Sequence, residues 1–494
     1  MSTKIIRKLI KVSYNKSNVS NSSKKGGNQI IDDINENKQQ NEAENKQQNE
    51  AENKQQNEAE YSYKKPLQTM DHPMKKYLIK HPRDALTITN KKYRIKSLDV
   101  IKEELSNTKS KLDNDFHNPA FGRYWKEFDP FKNEKLTVAL MGNTINVTNA
   151  WIKCYELVNY FNLIPDQIND SAAVPDQIND SAAVPDQLND TTFTHFDNAA
   201  FPGSFILSVN HFINTTRKWK NNYKWYGSSL WEINEENKAP LEDTYKLYEN
   251  YRDHWLMSKS NNGDVLLENN QIDFHNRLKN KVDLYTSDLG FDVSSDYNNQ
   301  EIIQAPANIG QILTGLLTLK KGGSFITKQY TVFEPITISI MFATSYFFDE
   351  FYLCKPYSSR EANSETYLVG KGFKGNVTLD HPYIKAMMDR ITKRVNINIP
   401  LFDAKDYPKE YISLVINSAK DLYYSQIHKM NSDIERVYEC IKSRHRGSPM
   451  SNPIVLKFIE QEKNKLEQWY YANPILMISD NSRLNIIDKF GQLK

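Results

Sequence analysis

Apolar positions fall into two periods along this chain, and the two alternate. Residues 146–161, NVTNAWIKCYELVNYF, place Trp151, Cys154, Tyr155 and Val158 at i, i+3, i+4, i+7 spacing, the stripe of an amphipathic helix. Lys153 lies off that stripe, so periodicity alone puts it in solvent. A strand is predicted at 193–197, followed by small residues, Pro-Gly and an apolar helix from near Gly203. VDLYTSD is a short strand of the buried type ending in Asp288. Residues 305–319 predict a helix whose C-terminal turn is Lys320–Gly323. SFITKQYTVF is a strand carrying Lys328, and ITISIMFATSYFF a helix. EFYLCKPY and TYLVGKGF are strands flanking the loop SSREANSE, which ends in Glu365. From Tyr383 onward the pattern is mostly helical. Strands alternating with helices predict an α/β fold: a Rossmann-like, mostly parallel sheet with one antiparallel strand near its end, helices on both faces, and a helical C-terminal extension.

Two tracts break this pattern. The unit NKQQNEAE occurs three times in tandem between Asn37 and Glu60 and has no large apolar position. Such a tract cannot bury a core, so residues 1–61 are expected to be a disordered tail. Residues 164–190 repeat a proline-containing PDQ-ND unit and are expected to be an expanded loop within the domain. The predicted organisation is therefore a tail at 1–61, an N-terminal helical and loop extension at 62–145, a central domain at 146–378, and a helical extension at 379–494.

The chain has 494 residues and a mean hydropathy of -0.69. Its net charge of +3 is too balanced to argue for nucleic acid by itself. Three well-separated cysteines, Cys154, Cys354 and Cys440, give neither a disulfide framework nor a zinc site. The longest apolar run is too short to span a bilayer, which takes roughly 20 apolar residues. A soluble protein with no membrane partner and no metal is expected. Two stretches interleave cations with aromatics: Arg123, Tyr124, Trp125 and Lys126, and residues 217–231. Each fits a single-stranded nucleic acid surface, and equally a surface loop or a strand.

The strand edges carry the candidate chemistry. Asp288, Lys328 and Glu365 each end or flank a predicted strand, an arrangement that serves an active site or a structural ion pair equally well. A lysine in a dry site can act as a general base if burial or a second cation lowers its pKa.

As a set, these residues resemble the FtsJ-like (RrmJ-type) S-adenosylmethionine-dependent RNA 2′-O-methyltransferases, and within them the adrift-type cap-specific enzymes. NAWIKCYEL matches the family's first helix, and DNAAFPGSF its cofactor turn. TSDLG, GGSFITK and KPYSSREANSETY match three further motifs, so the resemblance runs from about 146 to 375. It implies a catalytic tetrad of Lys153, Asp288, Lys328 and Glu365. Lys328 would be the base, held by the two acids, with Lys153 lowering its pKa. It also implies S-adenosyl-L-methionine as cofactor, bound by Asp197, Gly203, Ser204, Phe205, Ser229, Asp264 and Asp288. Ala199, Phe201 and Ser204 replace the family's usual Gly, Ala and Gly, making the turn bulkier. Ser229 stands where an acid is expected, with Glu232 as a substitute. The implied substrate is RNA, most specifically capped mRNA. Ribosomal or other structured RNA is the alternative, as is a catalytically weak RNA-binding scaffold. A cytoplasmic or nuclear location follows. The Asn/Lys/Ile-rich composition and short repeats suggest an AT-rich genome such as that of a large DNA virus.

Overall fold

The computed structural model describes residues 74–166, 192–217, 222–231, 243–258, 260–290, 293, 296–375 and 377–484. The octapeptide tract, residues 167–190 of the second repeat and Glu232 lie outside them. The described residues belong to one compact unit, His72–Lys494.

Seven strands build one sheet: β1 (Lys75–Leu78), β2 (Phe193–Asn198), β3 (Tyr223–Ser228), β4 (Val282–Ser287), β5 (Leu319–Gln329), β6 (Phe348–Lys355) and β7 (Thr366–Phe373). Their order is β1-β6-β7-β5-β4-β2-β3. Strands β3, β2, β4 and β5 run parallel, while β7 is antiparallel to both β5 and β6. The sheet is the expected one with a correction. β1 comes from the segment read as helix and loop, and pairs antiparallel with β6 at the edge. Its four residues are too short a run for periodicity to reveal.

Apart from the four-residue helix Leu247–Asn250, the α-helices of the described residues are α1 (Lys96–Asp115), α2 (Pro119–Trp125), α3 (Glu134–Met141), α4 (Asn149–Tyr160), α5 (Ser204–Thr216), α6 (Glu268–Leu278), α7 (Gln300–Thr318), α8 (Pro335–Ser345), α9 (Pro382–Ile391), α10 (Lys409–Lys442) and α11 (Pro453–Ala472). Strand residues alternate between two cores, as a pleated sheet requires. Leu284, Ile326, Tyr367 and Val369 pack with α4 and α5, whereas Phe196, Tyr285, Phe325 and Leu368 pack with α7 and α8. Every residue of α8 from Ile336 to Ser345 is buried, so this helix shows no apolar stripe. The tail does not stand apart: α10 packs on α1 and α2, and α11 places Val455 in one core and Trp469 in the other.

The stretch Lys320–Gly323 is not a helix C-terminal turn. α7 ends at Thr318 and β5 begins at once. The register with β4 slips between Val282 and Leu284, and that bulge absorbs the lysines and glycines. Lys320 there binds Asp283 at 2.6 Å.

Candidate active site

β2 has β3 on one side and β4 on the other, so the strand order reverses at β2. Open α/β sheets bind ligands at the carboxyl ends of the strands where this happens. Four predicted residues meet close to that edge. Asp288 immediately follows β4, Lys328 is the penultimate residue of β5, and Glu365 immediately precedes β7. Lys328 pairs in register with Tyr367 of β7. Lys153 descends from α4 onto the same face and, contrary to its off-stripe position, is only 8% exposed. Periodicity misplaces it because this helix is covered on nearly every side, Trp151 through Val158 all being buried.

The geometry is a pair of pairs joined by a tyrosine. Lys153 Nζ donates to Glu365 Oε1 at 2.5 Å, and Ser359 Oγ donates to the same oxygen at 3.2 Å. Lys328 Nζ donates to the Asp288 carbonyl oxygen at 2.8 Å and lies 3.4 Å from its Oδ1. The Tyr367 hydroxyl donates to that Oδ1 at 2.8 Å, while Lys153 Nζ sits 5.8 Å from the Tyr367 ring centre. Lys355 was missed by the sequence reading, although it opens the KPYSS motif. Its buried amine donates to Asn363 O and Oδ1 and to the Glu365 carbonyl at 2.9, 2.8 and 3.0 Å.

These contacts set the protonation states. Burial works to raise the Glu365 carboxyl, but the Lys153 and Lys328 ammoniums outweigh it and hold it down to about 2. Burial likewise works against the Lys328 ammonium, but Asp288, Tyr330 and Glu365 prevail and raise its pKa. The expectation that Lys153 lowers Lys328 is therefore corrected: the anions around Lys328 dominate, and Lys153 is engaged with Glu365. Lys355 behaves oppositely, burial pushing it down to about 7 despite Glu365, with the Lys153 ammonium adding to the fall.

The cofactor turn is built as its sequence suggests, though many of its side chains face inward. Ala199 takes φ 57° and Gly203 φ 117°, left-handed conformations that let the chain reverse before α5. A Cβ on Gly203 would stand 2.3 Å from Leu247 Cδ1. The bulky Phe201 is accommodated because its ring stacks outward on Trp255, centroids 4.5 Å apart. Asp197 is buried and accepts from Thr286 Oγ1 at 2.7 Å, and burial pushes its carboxyl well up. Phe205 lies in the core, while Ser229 Oγ accepts from the Phe201 amide at 2.9 Å. Thr148 Oγ1 donates to Ser204 Oγ at 3.0 Å, tying the turn to the start of α4. Asp264 accepts from the Leu266 amide at 2.9 Å. Gly263 beside it packs so closely that a Cβ there would sit 1.9 Å from the Ser229 carbonyl oxygen. Asp197, Phe205 and Ser229 thus shape the turn, whereas Asp264 and Asp288 stay half-buried at the edge.

A further feature, invisible to motif reading, marks this edge. Ser228, Asn198, Ser287 and Thr327 form one register row across the ends of β3, β2, β4 and β5. Ser228 Oγ, Asn198 Nδ2, Ser287 Oγ and Thr327 Oγ1 are all buried without a hydrogen-bond partner. Buried polar atoms are normally paired, so this row suits a polar ligand with many donors and acceptors, as S-adenosylmethionine is. No group of three or more His, Cys, Asp or Glu residues arranged to hold a metal occurs among the described residues.

The first cation–aromatic stretch does not form a stacking surface, and residues 218–221 of the second lie outside the described residues. Tyr124 and Trp125 are buried, and Arg360 lies over Trp125 at 4.5 Å. Trp225 is buried within β3. Among the described residues no helix is long and apolar enough to cross a membrane.

A probable methyltransferase of African swine fever virus (isolate Pig/Kenya/KEN-50/1950) is 38% identical over 254 residues, covering 49% of this chain and 53% of the viral protein. The cap-specific mRNA (nucleoside-2′-O-)-methyltransferase 2 of Drosophila melanogaster is 24% identical over 337 residues, covering 65% of this chain and 43% of the fly protein. An uncharacterised protein of Acanthamoeba polyphaga mimivirus is 30% identical, covering 58% of this chain and 34% of its own length. The chain thus spans about half the length, or less, of these curated relatives. The model of the FtsJ-like methyltransferases, a family that is in general S-adenosylmethionine-dependent, matches residues 147–373. Those limits enclose the strand edge with all four charged residues, and over them the chain is similar to the FtsJ-like methyltransferases.

Proposed function

We propose that this protein transfers a methyl group from S-adenosylmethionine to a ribose 2′-hydroxyl of RNA, close to the 5′ cap of mRNA. The observation that carries the reading is the meeting of Lys153, Asp288, Lys328 and Glu365 from four separate elements at one sheet edge. The cap is favoured by the name of the fly relative.

When bound, the cofactor would supply an electrophilic methyl group on a positively charged sulfur. The unpartnered row, the 199–203 turn and Asp264 would hold it. The chain's own part is positioning and proton management. Lys328 takes the proton of the 2′-hydroxyl, and Asp288 and Glu365 stabilise the ammonium that results. Lys153 fixes the Glu365 carboxylate and leaves its second oxygen for the substrate. Because the surrounding anions raise Lys328, only a small fraction is free base near neutrality, and the rate should climb with pH.

Methyl transfer from labelled cofactor to capped, uncapped and ribosomal RNA tests the proposal. Label on the ribose of capped RNA, abolished by Lys328→Ala, is the expected result. Label on ribosomal RNA alone would move the substrate. Absence of cofactor binding by calorimetry would leave an RNA-binding scaffold.

A further inference from the structure

We propose that Glu156 and the tail helices α10 and α11 are positioning elements for Glu365, so that the C-terminal extension takes part in the reaction by setting the β6–β7 loop. This rests on the function proposed above. Residues 356–365 join two strands and carry one functional carboxylate at their far end. A polar connection of this kind needs partners for its backbone groups; Lys355 of β6 serves the Asn363 and Glu365 carbonyls, and further partners come from outside the sheet.

The start of the loop is held by Glu156, which is fully buried. Its carboxylate accepts from the amides of Tyr357 and Ser358 at 2.6 and 2.9 Å, and from Trp469 Nε1 of α11 at 2.9 Å. Glu156 lies one helical turn after Lys153, so one side of α4 grips both ends of the same loop. The end of the loop is held by Gln426 of α10, which is 2% exposed. Gln426 Nε2 donates to the Ala362 carbonyl at 3.2 Å, and its Oε1 accepts from Ser364 Oγ at 3.1 Å. That serine directly precedes Glu365. Catalytic groups must be held within about 0.5 Å of their working geometry, and these bonds add to the restraint that Lys355 of β6 gives at Asn363 and Glu365.

Two variants test this in the full chain. Gln426→Leu removes the bonds to Ala362 and Ser364 with little change of volume. Trp469→Phe keeps a ring and removes one donor to Glu156. Each should lower kcat about tenfold while leaving the KM for the cofactor within about twofold. Amide exchange of residues 357–365 should quicken, with β4 and β5 remaining protected. On a Glu365→Gln background, Gln426→Leu should cost nothing further in kcat, because both act through one carboxylate. If Gln426→Leu fails to fold, Trp469→Phe carries the test. Unchanged loop exchange in the folded variants would overturn the proposal, as would an unchanged kcat in active protein. So would a full additional loss on the Glu365→Gln background. If the wild type transfers no methyl to any RNA, the function proposed above falls, and the exchange measurement still decides whether the tail restrains this loop.

Discussion

Two buried charge clusters in this molecule use the same residue types and differ in build. In the tail, Asp433 is wholly buried and is met by Lys429, by Arg436 at 3.1 Å and by Arg360 at 3.6 Å. Two of the three cations are helical neighbours on the same element, at i-4 and i+3. At the sheet edge the charges come from four elements, and each side chain keeps between 10% and 21% exposure. A carboxylate sealed under three cations is a structural joint, since no substrate can reach it. Paired charges brought together from afar and left partly open can exchange partners with a ligand. Burial of charge alone therefore does not identify a site; the source of the charges and their residual access do.

Variants that break the sheet-edge cluster should lower activity more than stability, and those that break the tail cluster should do the reverse. The largest effect is expected from Lys328→Ala, a loss of about 100- to 10,000-fold in kcat, with thermal unfolding close to wild type; single-turnover transfer and a melting curve check both halves. Asp433→Ala should cost about 3–5 kcal/mol of stability, because three cations lose their buried partner; denaturant titration reads it. Asp288→Asn sharpens the comparison through pH. Removing an anion beside a lysine lowers its pKa, so the rising limb of the pH–rate profile should move to lower pH by about 1 unit or more. A limb that stays in place would show that another group titrates. The smallest effect is on acid stability. Glu365 has a folded pKa of about 2, below its ordinary 4.5, so its contribution is fully present above pH 4.5 and is lost as the pH falls toward 2. Glu365→Gln should flatten the stability curve in that window and leave it unchanged in shape above.

Much of this was legible residue by residue. The strand ends at Asp288 and Lys328, the Pro-Gly turn before α5 and the alternation of strands with helices follow from local pattern, because buried parallel strands and capped helices leave periodic apolar traces. β1 was not legible, since four residues pairing at an edge carry no period. Periodicity alone puts Lys153 in solvent, because a helical stripe reports one covering surface and α4 is covered by the sheet, the β6–β7 loop and α11 together. Tyr124 and Trp125 fit a stacking surface and a surface loop equally well by sequence and are instead buried, Trp125 beneath Arg360, a partner more than 200 residues away that no local pattern announces.

The sequence by itself determined which residues could do chemistry and the order in which strands deliver them. Ionisable side chains at the ends of apolar runs must emerge at a sheet edge, and the spacing of the motifs selects one edge. The tertiary structure alone decided the protonation states and the supports. Whether Lys328 is raised or lowered depends on which charges stand within a few ångströms of its amine. The role of the tail depends on Glu156 and Gln426 reaching one loop from different helices. Both are sums over distances between residues far apart in the chain, which no one-dimensional pattern encodes.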